Sequence, residues 1–194
     1  MDGTTDTTRT THLGGTPTEF EKQMYTRVLR GNLDLQMSTF DRSFRITGGH
    51  LDVLARKPLW EDGRNYGHGT GHGVGFYLNV HEGPQSISLR STKVLEPGMI
   101  VSDEPGYYEE GKFGIRIEDM IVLREHPERK NFVYWENLTK YPYARELIDL
   151  KQLTPGQIEY INKYHEKVLE EVGALLKDDP EVLSYLKERC APLE

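Results

Sequence analysis

Residues 66–75 read YGHGTGHGVG, with glycine at every odd position from 67 to 75 and histidine at 68 and 72. Imidazoles bind metals, move protons and contact substrates, so the first question is which backbone carries the pair. A helix would stack His68 and His72 on one face, as zinc-protease helices do. Five glycines at about 1 kcal/mol each relative to alanine argue against it, as does the lack of a glutamate directly after His68. In extended chain His68, Thr70, His72 and Val74 point one way. The glycines then leave the reverse face bare for close approach by another backbone or a helix. The two imidazoles stand about 13 Å apart on such a strand, too far to share one ion. One is a metal ligand and the other a substrate contact, or both are ordinary polar residues. Phosphate cradling is a weak reading, because no Lys-Ser or Lys-Thr follows the glycines and Val74 occupies a place where the dinucleotide fingerprint needs glycine.

Further chemistry-bearing residues lie downstream: His81 in VHEGP, Glu104 in SDEPGYY and Glu118 in GIRIED. Carboxylates at strand positions beside turns are costly unless solvated, paired or coordinated. In GIRIED, alternation puts Ile115 and Ile117 on the side that packs, and Arg116 and Glu118 on a side facing a cavity or solvent.

Helices and turns must position these groups. Thr16 caps a helix that starts at Pro17, with Glu19 closing a capping box and Phe20, Met24 and Val28 at spacing four, so the pattern predicts a helix over about 17–37. A second helix is expected from His50 through Leu51 and Leu54, ended or kinked by Pro58. From Gly67 to about Leu123 the period changes to two, with turn signals at Glu82-Gly83-Pro84, Glu96-Pro97-Gly98, Glu104-Pro105-Gly106 and Glu110-Gly111. This is a sheet-rich centre. Thr154 and Pro155 open another helix with a stripe of Ile158, Ile161, Tyr164, Val168, Val172 and Leu175, and a shorter helix follows Asp179 and Pro180. The opening TTDTTRTTHL reads equally as a polar strand or as a disordered tail.

With 194 residues, 36% of them hydrophobic and 28% charged, the chain suits one globular domain or most of one. The net charge of -7, without a basic block, disfavours nucleic acid. No run approaches the roughly 20 apolar residues of a membrane span, and MDGTTDTTRT lacks a signal-peptide core, so the expected location is cytoplasmic, with no membrane partner. Cys190 is alone, which rules out an internal disulfide and a thiolate cluster; it is expected to be an inert surface or tail residue. The acceptor pattern at Asn137, Leu138 and Thr139 is accidental without secretion.

GHGTGHGVG, LNVHEGP and SDEPGYYEEGKFGIRIED, preceded by DGTTDTTRTTHLGGTPTEFEK, resemble the eukaryotic X-prolyl aminopeptidases of peptidase family M24, which have the creatinase and methionine-aminopeptidase ("pita-bread") fold. The match runs nearly end to end, with the motifs in the right order. The resemblance implies an α+β fold with a curved antiparallel sheet backed by helices. A partial metallopeptidase catalytic domain would occupy residues 1–150, with a helical extension of the same unit over 151–194. It further implies two divalent ions, usually manganese: Asp6 and Glu118 would bridge both, and His72 and Glu104 would complete the shell of one. That oxygen-rich set with one imidazole suits manganese, cobalt or zinc better than copper.

By the same resemblance His68 and His81 would line the substrate pocket and help bind or protonate the intermediate, Arg116 would orient Glu118 or contact substrate, and Glu104 would accept a proton from water. The implied reaction removes an N-terminal residue from peptides with proline second. A prolidase acting on dipeptides, and a non-catalytic module that keeps the sheet as a binding platform, are the alternatives.

The family carries a fifth ligand, an aspartate a short hairpin before the position of Asp6, and only five residues precede Asp6 here. Asp2 shares a strand face with Asp6, but four residues of strand separate them by about 13 Å, too far for one coordination sphere. The expectation is therefore a chain lacking the N-terminal half of the fold, with one tight ion site, one weak or empty site, and exposed edges that favour a homodimer.

Overall fold

The structure, a computed structural model, describes residues 3–77 and 79–194. Asp2, a candidate ligand by strand face, lies outside the described residues, as do Met1 and Leu78 of the LNVHEGP motif.

Along the chain come helix α1 (Glu19–Gln36), strand β1 (Thr39–Asp41), helix α2 (Gly48–Trp60), and strands β2 (Gly71–His72), β3 (Ser86–Ile87) and β4 (Ile100–Asp103). Then follow β5 (Gly106–Glu109), β6 (Phe113–Arg116), β7 (Asp119–Glu125), β8 (Phe132–Asn137), α3 (Pro155–Gly173) and α4 (Pro180–Arg189). The fold is α+β, and the pairings of these strands are antiparallel. They form a four-stranded sheet of order β1-β8-β7-β4 and two short ladders, β2 with β3 and β5 with β6. Two compact units divide the chain: one comprises residues up to Thr10 with Arg27–Thr139, the other Thr11–Thr26 with Lys140–Glu194.

The first unit holds the sheet. Ile121 and Leu123 of β7 and Val133 and Trp135 of β8 are spaced by two, so they share one sheet face. They pack with Val101 of β4, Leu51 of α2 and Leu35 of α1 into one buried cluster. Each such side chain contributes about 1.5–3 kcal/mol relative to exposure, which makes this cluster the core of the first unit. β1 and β8 extend beyond the stretch of period two expected to end near Leu123; β1 is only three residues long, and β8 lies past a break at residues 126–131.

α2 begins at Gly48 rather than His50, because His50 reaches back and accepts the Thr47 N–H at Nδ1. It runs through Pro58 and stops at Trp60.

In the second unit, Thr154 caps α3 with Pro155 in its first turn. Its Oγ1 accepts from the Gln157 N–H, while the Gln157 side chain accepts from the Thr154 N–H. Ile161, Tyr164 and Val168 are buried, whereas Leu175 lies beyond the helix end and is exposed. Asp179 caps α4. The α1 capping box forms between Thr18 and Glu21, not between Thr16 and Glu19: the Glu21 carboxylate accepts from the Thr18 N–H, and Thr18 Oγ1 accepts from the Glu21 N–H. Cys190 is buried, contrary to the surface position expected for it. Leu186 on α4 and Leu193 just past its end are buried too, so Cys190, at the helix C-cap, belongs to an apolar face. Burial pushes its thiol up to about 11, against the opposing charge of Arg145, which keeps it unreactive at neutral pH.

Candidate metal centre

The ladder register explains why two carboxylates meet. β4 and β7 pair with Asp103 opposite Asp119, so Glu104 and Glu118, one step further along each strand, leave the same end of the ladder. Cross-strand neighbours stand about 5 Å apart, within reach of one ligand. Asp6 reaches the same place from another segment. Thr8 bridges Glu118: the Glu118 N–H donates to the Thr8 carbonyl at 2.9 Å, and Thr8 Oγ1 donates to Glu118 Oε2 at 2.5 Å. The Thr10 hydroxyl donates to the Arg116 carbonyl at 2.9 Å and accepts the Arg116 N–H at 3.0 Å, so the opening segment lies alongside residues 116–118. It is extended chain, though not a strand of the sheet.

His72 arrives through the glycine stretch. Only Gly71 and His72 form strand β2, and Gly73 makes an isolated bridge to Val101 of β4. The bare glycine face is filled where it matters: a Cβ on Gly71 would sit 1.8 Å from the Ser102 carbonyl oxygen, and one on Gly73 would sit 2.1 Å from that of Glu82. At Gly67 nothing lies within 4 Å. The close approach brings the His72 N–H to Ser102 Oγ at 3.0 Å, and that hydroxyl donates to Glu104 Oε1 at 3.0 Å. One serine thus ties two expected ligands together.

The His72 ring is oriented for ligation. Nδ1 lies 3.0 Å from the Gly73 carbonyl and donates to it, so that in the neutral ring the lone pair is on Nε2. That Nε2 is buried and makes no hydrogen bond, although it stands 3.3 Å from Asp6 Oδ2 and 3.2 Å from Glu104 Oε1. A nitrogen lone pair facing two carboxylate oxygens is an arrangement that a cation between them would satisfy. The donor chemistry fits a hard or borderline divalent ion.

The expected ligands fall into two donor groups that share His72. Asp6, His72 and His81 form one, and His72, Glu104 and Glu118 the other, each with ligand atoms within 4.8 Å of one another. His81, expected as a pocket residue, therefore also stands at ligand distance. Its ring meets that of His72 edge-on, with centroids 4.0 Å apart. His68 joins neither group among the described residues.

His68 Nδ1 donates to the Gly69 carbonyl and Nε2 lies 2.7 Å from the Tyr108 hydroxyl, which receives the Nε–H of Arg116 at 3.0 Å. Arg116 Nε is also 4.0 Å from Glu104 Oε2. Thr8, Ser102 and Tyr108 join the site without having been expected there. Ser102 does carry a signal, since it alternates with Glu104 on one face of the strand; nothing in the sequence separates Tyr108 from its neighbour Tyr107.

The electrostatics follow from this crowding. Burial pushes the Glu118 carboxyl up to about 7, with the charges of Glu104 and Asp6 adding to it and the Thr8 hydrogen bond opposing it. Burial acts on Glu104 in the same direction, but His72, Ser102 and Arg116 outweigh it and hold Glu104 below the ordinary carboxylate value. Burial draws the His72 imidazole down, yet Glu104, the Gly73 carbonyl and Asp6 leave it raised.

Behind the ligands, burial and the nearby Asp119 carboxylate raise Asp103 well above its usual range. Gln36 of α1 donates to Asp119 Oδ2 at 2.9 Å and to Asp103 Oδ2 at 3.3 Å. Arg9 donates to Asp119 Oδ1 at 2.6 Å and to the Glu118 carbonyl at 2.8 Å.

Comparison with known proteins gives the family and the fold. The model of metallopeptidase family M24 matches residues 1–125, and that of the C-terminal region of peptidase M24 matches residues 131–193. A probable Xaa-Pro aminopeptidase P of Fusarium vanettenii is 47% identical over all of this chain and 32% of its own length. The crystal structure of a Caenorhabditis elegans X-prolyl aminopeptidase, described as a cytosolic enzyme with a di-nuclear active site, matches with a TM-score of 0.90 and 39% identity over 98% of this chain and 32% of that one. An Xaa-Pro dipeptidase from Bacillus anthracis matches less of it, with a TM-score of 0.60 and 37% identity over 72% of this chain and 36% of its own. The chain thus spans about a third of the length of these relatives.

Proposed function

The chain belongs to metallopeptidase family M24, and from that premise we propose that it carries the ion-holding part of an aminopeptidase that removes the first residue of peptides with proline second. The observation that carries the reading is the lone pair of His72 Nε2, buried without a hydrogen bond between the carboxylates of Asp6 and Glu104. Asp6, His72, Glu104 and Glu118 would hold one manganese ion well, with zinc or cobalt as substitutes. A second ion reached through Asp6 and Glu118 would find fewer donors among the described residues and bind more weakly. The bound metal supplies Lewis acidity toward a scissile carbonyl and lowers the pKa of water.

The chain's own residues do the rest. Glu104, held ionised, accepts the proton of an attacking water. Tyr108 receives the Arg116 N–H and donates to His68 Nε2, fixing His68 beside the site as a contact for the peptide. His81, exposed and edge-on to His72, contacts the same substrate and passes a proton toward the leaving proline nitrogen. No helix among the described residues is long and apolar enough to cross a membrane. With a cytosolic worm enzyme among the relatives, we place the chain in the cytoplasm.

The reading over a dipeptidase rests on the relatives alike over the whole chain, which are probable Xaa-Pro aminopeptidases and an X-prolyl aminopeptidase of known structure. The test is manganese titration by calorimetry together with release of arginine from Arg-Pro-Pro. Binding and release are expected for the chain and neither for His72→Ala. Faster cleavage of the dipeptide Arg-Pro would assign a dipeptidase, and binding without any release a non-catalytic module.

A further inference from the structure

The glycine–histidine stretch poses a problem that the metal site does not solve. Glycine loses more conformational freedom on ordering than any other residue. A segment with five glycines in nine positions therefore does not hold two histidines in fixed places by itself. Something outside it must.

That partner is α2. Asp52 and Arg56 lie one helical turn apart and are both buried, at 0% and 4% exposure. Arg56 Nε donates to Asp52 Oδ2 at 2.6 Å, and Nη2 donates to Asp52 Oδ1 at 3.4 Å. A buried ion pair is costly unless its remaining donors are satisfied, and here all five guanidinium N–H groups have acceptors. Nη1 donates to Asn65 Oδ1 and to the Tyr66 carbonyl, each at 2.9 Å, and Nη2 donates to the His68 carbonyl at 2.7 Å. Asp52 Oδ1 in turn accepts from Thr70 Oγ1 at 2.6 Å. With its proton on Asp52, the Thr70 hydroxyl accepts from the Tyr66 hydroxyl at 2.5 Å. The Thr70 carbonyl accepts the Glu104 N–H at 2.6 Å.

We propose that Asp52, Arg56 and Thr70 are positioning residues, forming a clamp that fixes the backbone at 66, 68 and 70 and so delivers His68 and His72 to the metal centre. The inference rests on the reading of His72 as a ligand. None of the three touches a metal donor atom; the clamp acts through the peptide on either side of Thr70. A planar five-donor fork is required at Arg56, since a lysine ammonium cannot span Asp52 and two carbonyls.

The test uses the full 194-residue chain, titrated with manganese by calorimetry and melted without metal. Thr70→Val keeps the shape and removes the hydroxyl; Thr70→Ser keeps the hydroxyl. Outer-shell substitutions of metal sites weaken affinity about 10–100-fold. The expected result is a loss of about tenfold for Thr70→Val and for Arg56→Lys, each still melting cooperatively, with Thr70→Ser within about twofold of the parent. Val133→Ala, a core substitution in the same unit, lowers the melting temperature and leaves affinity unchanged. A folded Thr70→Val that binds manganese like the parent overturns the clamp, and so does a Thr70→Ser as weak as Thr70→Val. If Arg56→Lys does not fold, the Thr70 pair decides alone. A folded parent that binds no manganese overturns the metal reading itself, an outcome distinct from a parent and variants that all bind equally.

Discussion

Ser102 Oγ stands 3.0 Å from both the His72 N–H and Glu104 Oε1, accepting from the first and donating to the second. The two expected ligands lie on different strands, and this buried hydroxyl is the bond that sets their relative position. Ser102→Ala is therefore expected to weaken manganese binding about tenfold. It should also cost about 1–3 kcal/mol of stability, because the buried His72 N–H loses its acceptor. Calorimetric titration and denaturant unfolding of the variant check the two effects separately.

The pH dependence has a definite sign. Glu118 titrates near 7 in the folded chain against 4.5 ordinarily, so the folded state holds its proton more tightly than the unfolded state. The metal-free chain therefore loses stability as pH rises from about 4.5 to 7. His72, raised above 6.5, and Asp103, raised above 3.8, act in the same direction, their stabilisation fading as pH rises through their folded values. Glu104, lowered, contributes above its ordinary 4.5 and loses that contribution as pH falls. Melting scans without metal should show a midpoint that declines from about pH 5 to 7.5.

The same groups couple metal binding to protons. Glu118 must be ionised and His72 neutral to ligate, so affinity rises with pH up to about 7.5 and then levels. Calorimetry at pH 6 in two buffers of different protonation enthalpy should report release of about one to two protons per manganese bound, falling toward zero at about pH 8.5.

The alternation in GHGTGHGVG makes one half of the site legible in the sequence: it requires a bare face, and the sheet answers it at Gly71 and Gly73. Which backbone fills that face is not legible there, because approach by Ser102 and Glu82 depends on strand order. The α1 cap is ambiguous for a local reason: Thr16 with Glu19 and Thr18 with Glu21 carry the same spacing, and only the second pair closes. β8 alternates buried Val133 and Trp135 with more exposed neighbours, a pattern present in the sequence but lying beyond the turn-rich centre. The Asp52–Arg56 pair is invisible as chemistry in the sequence, since an acidic and a basic residue four apart on a helix ordinarily mark a solvated face.

Glycine substitutions separate the two halves of the histidine stretch. At Gly71 an added methyl meets a backbone oxygen at 1.8 Å, which cannot swing aside, so Gly71→Ala should cost about 3 kcal/mol and displace His72 from Ser102. At Gly67 the space is open, so Gly67→Ala should be neutral or add up to about 1 kcal/mol by restricting the unfolded chain. Denaturant unfolding of both variants tests the contrast, and equal effects would mean that β2 does not lie against β4.

Gln36 tests the floor beneath the site. Its amide donates to both Asp103 and Asp119, two buried carboxylates directly behind Glu104 and Glu118, and it is the neutral group that lets them sit across from each other. Gln36→Leu keeps the volume but removes both donors, leaving Asp119 to Arg9 and Asp103 to its Asn32-bonded backbone. The loss of these two buried hydrogen bonds, together with the one that Gln36 donates to Asn32 Oδ1 and the one it accepts from the Asn137 amide, should cost about 3 kcal/mol or more. The cost should shrink at acid pH, where a protonated Asp103 can donate to Asp119 in place of the lost amide. Denaturant unfolding of the variant and parent at pH 5 and pH 8 measures that difference, and a cost independent of pH would mean that the Asp103–Asp119 pair does not rely on the Gln36 amide and that the loss comes from its bonds with Asn32 and Asn137.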